Sequence, residues 1–513
     1  MEDVVVSLMG LDIGTTGTKA NVFNEYGRLM ATAYREYSLE HPQPGWIELD
    51  PDEVWENVKE AVKEATDKAA DDPVKALAIS VLGEAAVPVD IRGVTLDNSI
   101  IGFDNRAADI FQYWLKNADP AEIMKITGQP PSQMFTLAKL MWIQEKQPEL
   151  FSRMEKYLTF GEYAQWKMGL NPRISYSMAA RTMAFDIYEK RYSEKICSSA
   201  DINSNLFGEA AASGEVVGML RGKIAGELGV AERCVVCVGS HDQPAGALGS
   251  GVIEPGIAMD ATGTVECFAV AMEEPVVNET MLNNNLACYP HAYPDMYISL
   301  AYNFTGGALL KWVRDKLAHT EHEDAISRGV DVYDVIVEEM SENPTDIFVQ
   351  PHFTMAGTPY MDPDPVGAII GIDLSTTRAE LFRSVLEGIS YEMKLNLKVL
   401  EEAGVEVEAF RAIGGGAKSD FWLQLKADIY NRPVVRMEVD EAASLGMAIC
   451  AGVGAGIYGS FDEAIEEVVI EKETFTPDPV NAAFYNKMLE RYEEIYPALK
   501  KWQKAIGISK GTM

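Results

Sequence analysis

The hydrophobic pattern of this chain switches repeatedly between the two-residue period of strands and the longer period of helices. An apolar run over residues 4–11 stops at DIGTTGTK, Asp12 to Lys19, and resumes over residues 20–23. This predicts a tight β-hairpin whose tip is Gly, Thr and Lys. Asp50-Pro51-Asp52-Glu53 supplies an N-cap, a proline in the first turn and a Glu at the third position, a capping box in Asp form. Val54, Val58 and Val62 then mark one stripe of a helix, and residues 76–81 read as a short strand. A helical stretch at 138–143 precedes a polar connection over 170–177.

Residues 234–239 predict another strand, ending in SHDQPAGALGSG, and residues 255–271 again read strand, Gly/Thr hairpin, strand. The second hairpin echoes the first, with Asp260, Thr262, Gly263 and Thr264 against Asp12, Gly14, Thr15 and Thr16. One such hairpin in each half predicts two similarly folded lobes. Further on, Leu381, Val385, Ile389, Met393 and Leu397 recur every fourth residue, predicting a long amphipathic helix from about Thr377. A strand at 409–413 runs into GGGAKSDFW, where Ser419 is placed to cap the next helix. Residues 450–458 are rich in Ala and Gly, which permits close helix packing, and residues 482–504 predict an amphipathic, charged terminal helix.

Composition narrows the classes. At 513 residues the chain is too long for a single core, and two large domains are expected, divided near 246/247. Its 78 acidic and 44 basic residues give a net charge of −34, which argues against nucleic acid or an anionic membrane as a partner. No leader and no apolar run near the length of a membrane span is seen, so a cytoplasmic location is expected. Cys234 and Cys237 form a CxxC inside a strand, where positions three apart face opposite sides; a buried structural pair is expected, not a metal knuckle.

The chemistry concentrates in the turns. Glycines let the backbone approach an anion closely, so that N–H groups, threonine hydroxyls and Lys19 can meet phosphate oxygens. Asp12, closing the first strand, is suited to hold a hydrated Mg²⁺ together with phosphate. The spacing is neither GxxxxGK[ST] nor GxGxxG, and taken alone it is also compatible with a hairpin of no chemistry. Gly414, Gly415 and Gly416 form a third Gly-rich turn, suited to a flat adenosine. Asp242 lies just past a strand's carboxyl end, where open α/β sheets place ligands. It is the candidate base for an acceptor hydroxyl in phosphoryl transfer; the bland alternative is a helix cap. His241 reads as a packed residue, and no HExxH or His/Cys cluster points to a transition metal.

With these residues in hand, the chain resembles the FGGY family of carbohydrate kinases, within the sugar kinase, Hsp70 and actin superfamily. GAIIGIDLSTTRAELFRSVLEG, from Gly367 to Gly388, fits the family's second signature. MFTLAKLMWIQEK, from Met134 to Lys146, fits the first except at Lys146. The resemblance covers residues 10–464 and implies an α/β fold of two RNase H-like lobes around a cleft. It further implies Mg-ATP as phosphate donor and a terminal hydroxyl of a ketose, polyol or sugar acid as acceptor.

Carried over by motif, Asp242 matches the base and Asp12 the metal-organising carboxylate, with Asp242 also near the Mg²⁺ through water. Thr15, Thr16 and Lys19 match the first phosphate hairpin, and Gly263 and Thr264 the second. Gly307 falls where the family touches nucleotide, and Lys311 takes a position often held by Gln. Gly416, Ala417 and Asp420 fall on the adenosine element, Asp420 in place of Asn. The acceptor site is expected from Glu84, Phe103, Asp104, Arg106, Asp242 and Gln243. Glycerol kinases carry Arg-Glu where this chain has Gly83 and Glu84, xylulokinases carry Met-His there, and the GTVE hairpin with Glu266 looks more like fuculokinases and rhamnulokinases. The acidic bias argues mildly against a sugar acid. Two other readings stand beside the sugar kinase: a kinase for a quorum-sensing autoinducer, suggested by residues 441–457, and a sensor that binds ATP without transfer. A homodimer is the family default.

Overall fold

The expected N-terminal hairpin opens the first of two large sheets. In a computed structural model, which describes residues 6–69 and 72–507, its strands are β1 (Leu8–Ile13) and β2 (Gly17–Phe23). Val4 and Val5, included in the predicted strand, lie outside the described residues. The sheet continues with β3 (Leu29–Glu36), β4 (Ala76–Val81), β5 (Val216–Met219) and β6 (Val235–His241), in the order β5-β6-β4-β1-β2-β3. Strands β1, β4 and β6 run parallel, whereas β1, β2 and β3 are antiparallel.

The second sheet repeats this plan. Strands β7 (Gly256–Thr262) and β8 (Glu266–Met272) form the second hairpin, followed by β9 (Ala287–Pro290), β10 (Tyr297–Asn303), β11 (Val407–Gly414), β12 (Val434–Met437) and β13 (Glu471–Phe475). The order is β9-β10-β8-β7-β11-β12-β13, with β7, β11 and β12 parallel. The two lobes are RNase H-like, as the resemblance implied.

Helix α1 (Pro51–Lys68) starts with the expected Asp50 cap, without the return bond from the Glu53 side chain that would complete a capping box. Asp50 accepts hydrogen bonds from the Asp52 and Glu53 N–H groups, and Val54, Val58 and Val62 are buried against the sheet. Helix α2 (Thr136–Lys146) is buried on every side through its first two turns. The polar connection at 170–177 contains a short strand, Arg173–Ser175, and begins α3 (Tyr176–Ala180), capped by Ser175. Helix α4 (Asp242–Gly249) follows β6, and α5 (Gly307–Lys316) follows β10.

The long helix α6 (Arg378–Glu402) has the expected Thr377 cap, completed by Glu380 into a capping box. It is not amphipathic as predicted: it is buried around almost its whole circumference, with Arg383, Glu387, Glu392 and Lys394 inside. Burial is tolerated because these groups are paired. Arg383 Nε and Tyr485 Oη each donate to Glu387 at 2.8 Å, Tyr492 Oη donates to Glu392 at 2.6 Å, and Lys394 Nζ donates to the Tyr430 carbonyl at 2.8 Å.

Helix α7 (Asp420–Tyr430) has Ser419 at its cap, and α8 (Ala442–Gly454) follows β12. The single terminal helix expected over 482–504 is two, α9 (Pro479–Tyr492) and α10 (Ile495–Ile506). Pro497 explains the break: it has no N–H to give the carbonyl of Glu493 and clashes with it.

The Ala/Gly-rich helix α8 makes the seam between the halves. It packs on β1, β4 and β6 of the first sheet and on α4. A Cβ on Gly10 would sit 1.8 Å from the Ser444 carbonyl oxygen, and one on Gly446 would sit 2.1 Å from that of Ala245. Cys237 points at this helix, whereas Cys234 is buried in a different core cluster, so the two thiols diverge as expected.

Candidate active site

Three parallel strands deliver their side chains to one edge. Asp12 on β1 is paired in register with Ser80 on β4, and Ser80 with Ser240 on β6. Asp242 begins α4 immediately beyond β6, and Glu84 lies just past β4 with a left-handed φ of +65°. That strained conformation is rare outside glycine and points to a constrained site. The Glu84 carbonyl is held by Thr136 Oγ1 at 2.9 Å.

Two carboxylates here each keep one oxygen without a hydrogen bond. Asp12 Oδ1 and Asp242 Oδ1 are both buried without a hydrogen bond, as is Gln243 Oε1. The Asp242 side chain is 40% open, so the carboxyl faces the cleft with one oxygen sealed. Burial pushes its pKa up to about 7, and the neighbouring Asp12 and Glu84 charges add to the shift while Arg181 opposes it. The Asp12 pKa is also raised, by burial first, against the opposing pull of Ser80 and Lys19. His241 Nε2 stands 3.2 Å from Asp242 Oδ1, and its Nδ1 shares a 2.9 Å hydrogen bond with Tyr289 Oη. Burial and the Arg181 charge hold His241 well below its ordinary pKa, so it is neutral here. A pair of acidic groups with unpartnered oxygens fits a hydrated Mg²⁺ whose remaining ligands are water and phosphate. Among the described residues there is no group of three or more candidate ligands for a protein-only metal site.

Both hairpin tips are open. Thr15 and Thr16 lie on the first, which is braced by Tyr37 Oη donating to the Gly14 carbonyl at 2.6 Å. Lys19 reaches across to Glu441, ahead of α8, at 2.8 Å. Gly263 and Thr264 are exposed at the second tip, clamped by the N–H groups of Gly306, Gly307 and Ala308 at 3.1, 2.8 and 3.2 Å. Lys311 is exposed one turn along α5. The triple-Gly turn packs on this hairpin: Gly414 has a φ of +81°, and a Cβ on Gly416 would come within 2.6 Å of the Thr262 side chain. Arg436 ties the Ala417 carbonyl, at 2.9 Å, to the Asp420 carboxylate.

The acceptor residues divide into two groups. Glu84 is buried against Arg181, and Phe103 is half exposed, edge-on to Phe304 of the second lobe at 6.2 Å. Asp104 and Arg106 instead form a closed cluster. Arg106 pairs with Asp104 and Glu48 at 2.8 and 2.7 Å and lies 3.9 Å over the Trp46 ring. Glu266, singled out with the GTVE hairpin, is fully buried and paired with Lys426 at 2.6 Å.

Four residues escaped the reading of the sequence: Arg181, Gln129, Lys139 and Lys426. Lys139 Nζ is buried without a hydrogen bond, and burial lowers its pKa to about 8. The signal was available in MFTLAKLMWIQEK, where a lysine sits in an otherwise apolar stretch. The partners of Arg181 and Lys426 lie far away in the chain and left no local signal.

Residues 7–249 match the N-terminal domain of the FGGY family of carbohydrate kinases, and residues 259–455 match its C-terminal domain. The chain belongs to this family. The xylulose kinase of Staphylococcus epidermidis is 27% identical over 496 residues, 96% of this chain and 97% of that protein. Glycerol kinase 2 of Saccharolobus solfataricus is 28% identical over 520 residues, 98% and 99% of the two chains. The crystal structure of a gluconate kinase from Lactobacillus acidophilus superposes with a TM-score of 0.87, covering 96% of this chain and 98% of that one. At 24% identity that likeness is one of fold. As an FGGY kinase the chain is an ATP-dependent phosphotransferase acting on a carbohydrate, and among the described residues no helix is long and apolar enough to cross a membrane.

Proposed function

We propose that this FGGY kinase transfers the γ-phosphate of Mg-ATP to a hydroxyl of a small ketose or polyol, with Asp242 as the base. The observation that carries the assignment is the buried, unpartnered Asp242 oxygen at the carboxyl ends of β1, β4 and β6, with its pKa raised to about 7. A base poised near neutrality combines adequate ionisation with proton affinity. Asp242 takes the proton as the acceptor oxygen bonds to the γ-phosphorus and ADP leaves. Asp12 and Asp242 would hold the hydrated Mg²⁺, which supplies charge neutralisation on the β- and γ-phosphates. The two hairpin tips bind phosphate, and Gly416, Ala417 and Asp420 flank the adenosine. Phe103 and Phe304, meeting from opposite lobes, shield the acceptor from water, which would otherwise compete for the phosphate. Relatives named for a ketose and for a polyol stand at similar identity, which supports an acceptor of this class.

The test is Asp242→Asn, assayed by ADP release with Mg-ATP and a panel including D-xylulose, glycerol and D-gluconate. Turnover should fall on the order of 10²–10⁴-fold while acceptor binding survives. Near-normal turnover would remove Asp242 from the role of base. An intact fold that binds ATP but phosphorylates nothing in the panel would count against this class of acceptor.

A further inference from the structure

Arg181 sits just past α3, with its side chain only 10% exposed, and three of its sides are taken. One terminal nitrogen pairs with the Glu84 carboxylate, and the other donates to Gln129 Oε1 at 3.3 Å. Its guanidinium lies 4.9 Å from the Phe135 ring centroid. Only Nε is left, buried and without a partner. Gly83 faces this nitrogen with no side chain: a Cβ there would stand 3.7 Å from Arg181 Nε and crowd His241 Nε2 at 2.9 Å. Native interiors rarely leave a charged donor unmade, because its desolvation is uncompensated until an acceptor arrives. Gln129 Nε2 is a second unpartnered donor, its direction fixed because Oε1 already accepts from Arg181.

We propose that Arg181 is a specificity-determining residue of the acceptor site, its Nε–H holding an oxygen of a neutral polyhydroxy substrate beside Asp242. This rests on the kinase reading above and narrows it. Among the unpartnered groups here are donors on Arg181 and Gln129 and acceptors on Asp242 and Gln243. A hydroxylated carbon chain satisfies both kinds, since each hydroxyl gives and takes a hydrogen bond. A carboxylate satisfies only the donors, and it would meet an arginine whose charge Glu84 already balances, with Asp12 and Asp242 nearby. Sugar acids are therefore rejected.

The test compares wild type, Arg181→Lys, Glu84→Gln and the double variant Glu84→Gln/Arg181→Gln, which removes both buried charges together and so protects the fold. Binding of D-xylulose, glycerol and D-gluconate is measured by calorimetry, alongside the two Michaelis constants. Wild type should bind a neutral acceptor and not gluconate. The double variant, folded by its melting curve, should lose roughly 10- to 100-fold in neutral-acceptor affinity while its KM for ATP stays within about twofold. Arg181→Lys should not rescue, since an ammonium has no Nε. Glu84→Gln, which leaves Arg181 uncompensated, should gain gluconate binding. Unchanged neutral-acceptor affinity in the folded double variant, equal loss in both Michaelis constants, or a wild type that prefers gluconate or binds neither neutral acceptor would each overturn the proposal. Acceptor binding without ADP release would fail the kinase reading alone and leave the role of Arg181 standing or falling on the binding data.

Discussion

The two hairpins share a sequence pattern and a place in their sheets, yet their charges are used in opposite ways. In the first, Asp12 keeps an oxygen without a partner, and Lys19 on the return strand reaches out to Glu441 in a partly exposed pair. In the second, Asp260 and Glu266 close on Lys426 at 2.7 and 2.6 Å, and all three side chains are fully buried. Burial alone would depress the Lys426 pKa, but the two carboxylates hold it above its ordinary value, while burial raises that of Glu266 against the pull of Lys426. A strand-end Asp before a Gly/Thr turn thus keeps an open oxygen in one lobe, where we propose chemistry, and is locked into a buried ion cluster in the other. The helix that reaches each hairpin decides: α7 offers a lysine to the second, whereas α8 offers the first only small residues against its strands, with Glu441 just ahead of it.

This contrast can be broken experimentally. Lys426→Met should be the most damaging change, destabilising the fold by about 3–5 kcal/mol in urea unfolding, because it strands two buried carboxylates. A loss below about 1 kcal/mol would mean that the second hairpin's charges are not structural in this sense. Asp12→Asn should do the reverse, lowering kcat by roughly 10²–10³-fold with no loss of melting temperature. A variant that melts early and still turns over would exchange the roles of the hairpins.

The pH dependence sharpens the point. As the proposed base, Asp242 would act as its carboxylate, so kcat/KM should rise with pH through about 7, and Glu84→Gln, which removes a neighbouring negative charge, should move that limb to lower pH. The stability sign is opposite. A carboxyl whose folded pKa is raised from 3.8 to about 7 contributes stability that is fully present below 3.8 and is lost as pH rises to about 7, so the melting advantage of Asp242→Asn over wild type should be largest at pH 8 and shrink steadily toward pH 4. A wild-type profile flat from pH 5 to 8 would contradict both. The smallest effect belongs to Glu441→Gln. Stability should change by less than about 1 kcal/mol, as for other partly exposed pairs, while KM for ATP falls because Lys19 is released toward phosphate. A raised KM would make the pair a support for nucleotide, not a competitor.

Local signals carried the fold well. Strand β4 spans the predicted residues, Asp50 caps α1, and Thr377 and Ser419 cap α6 and α7, because period and capping act within a few residues. The amphipathic reading of α6 failed because its polar residues find partners inside the lobe, which periodicity does not reveal. Within the site, Asp12 and Asp242 were legible from strand ends and turn chemistry. The balance of charge around them was not: Lys426 meets Asp260 across 166 positions, and Arg181 meets Glu84 across 97. Such pairs are written in topology, and only the folded chain brings them together.

The seam at α8 also sets how this protein can be divided. Because a helix encoded near residue 450 covers the strands encoded near residues 10, 80 and 240, neither half is whole by itself. A fragment ending after Gly249 would leave the apolar back of β1, β4 and β6 facing solvent, and its complement would carry an orphaned lid. Split reporters and two-piece expression should succeed only where the pieces are made together, for the last stretch of the chain finishes the work of the first.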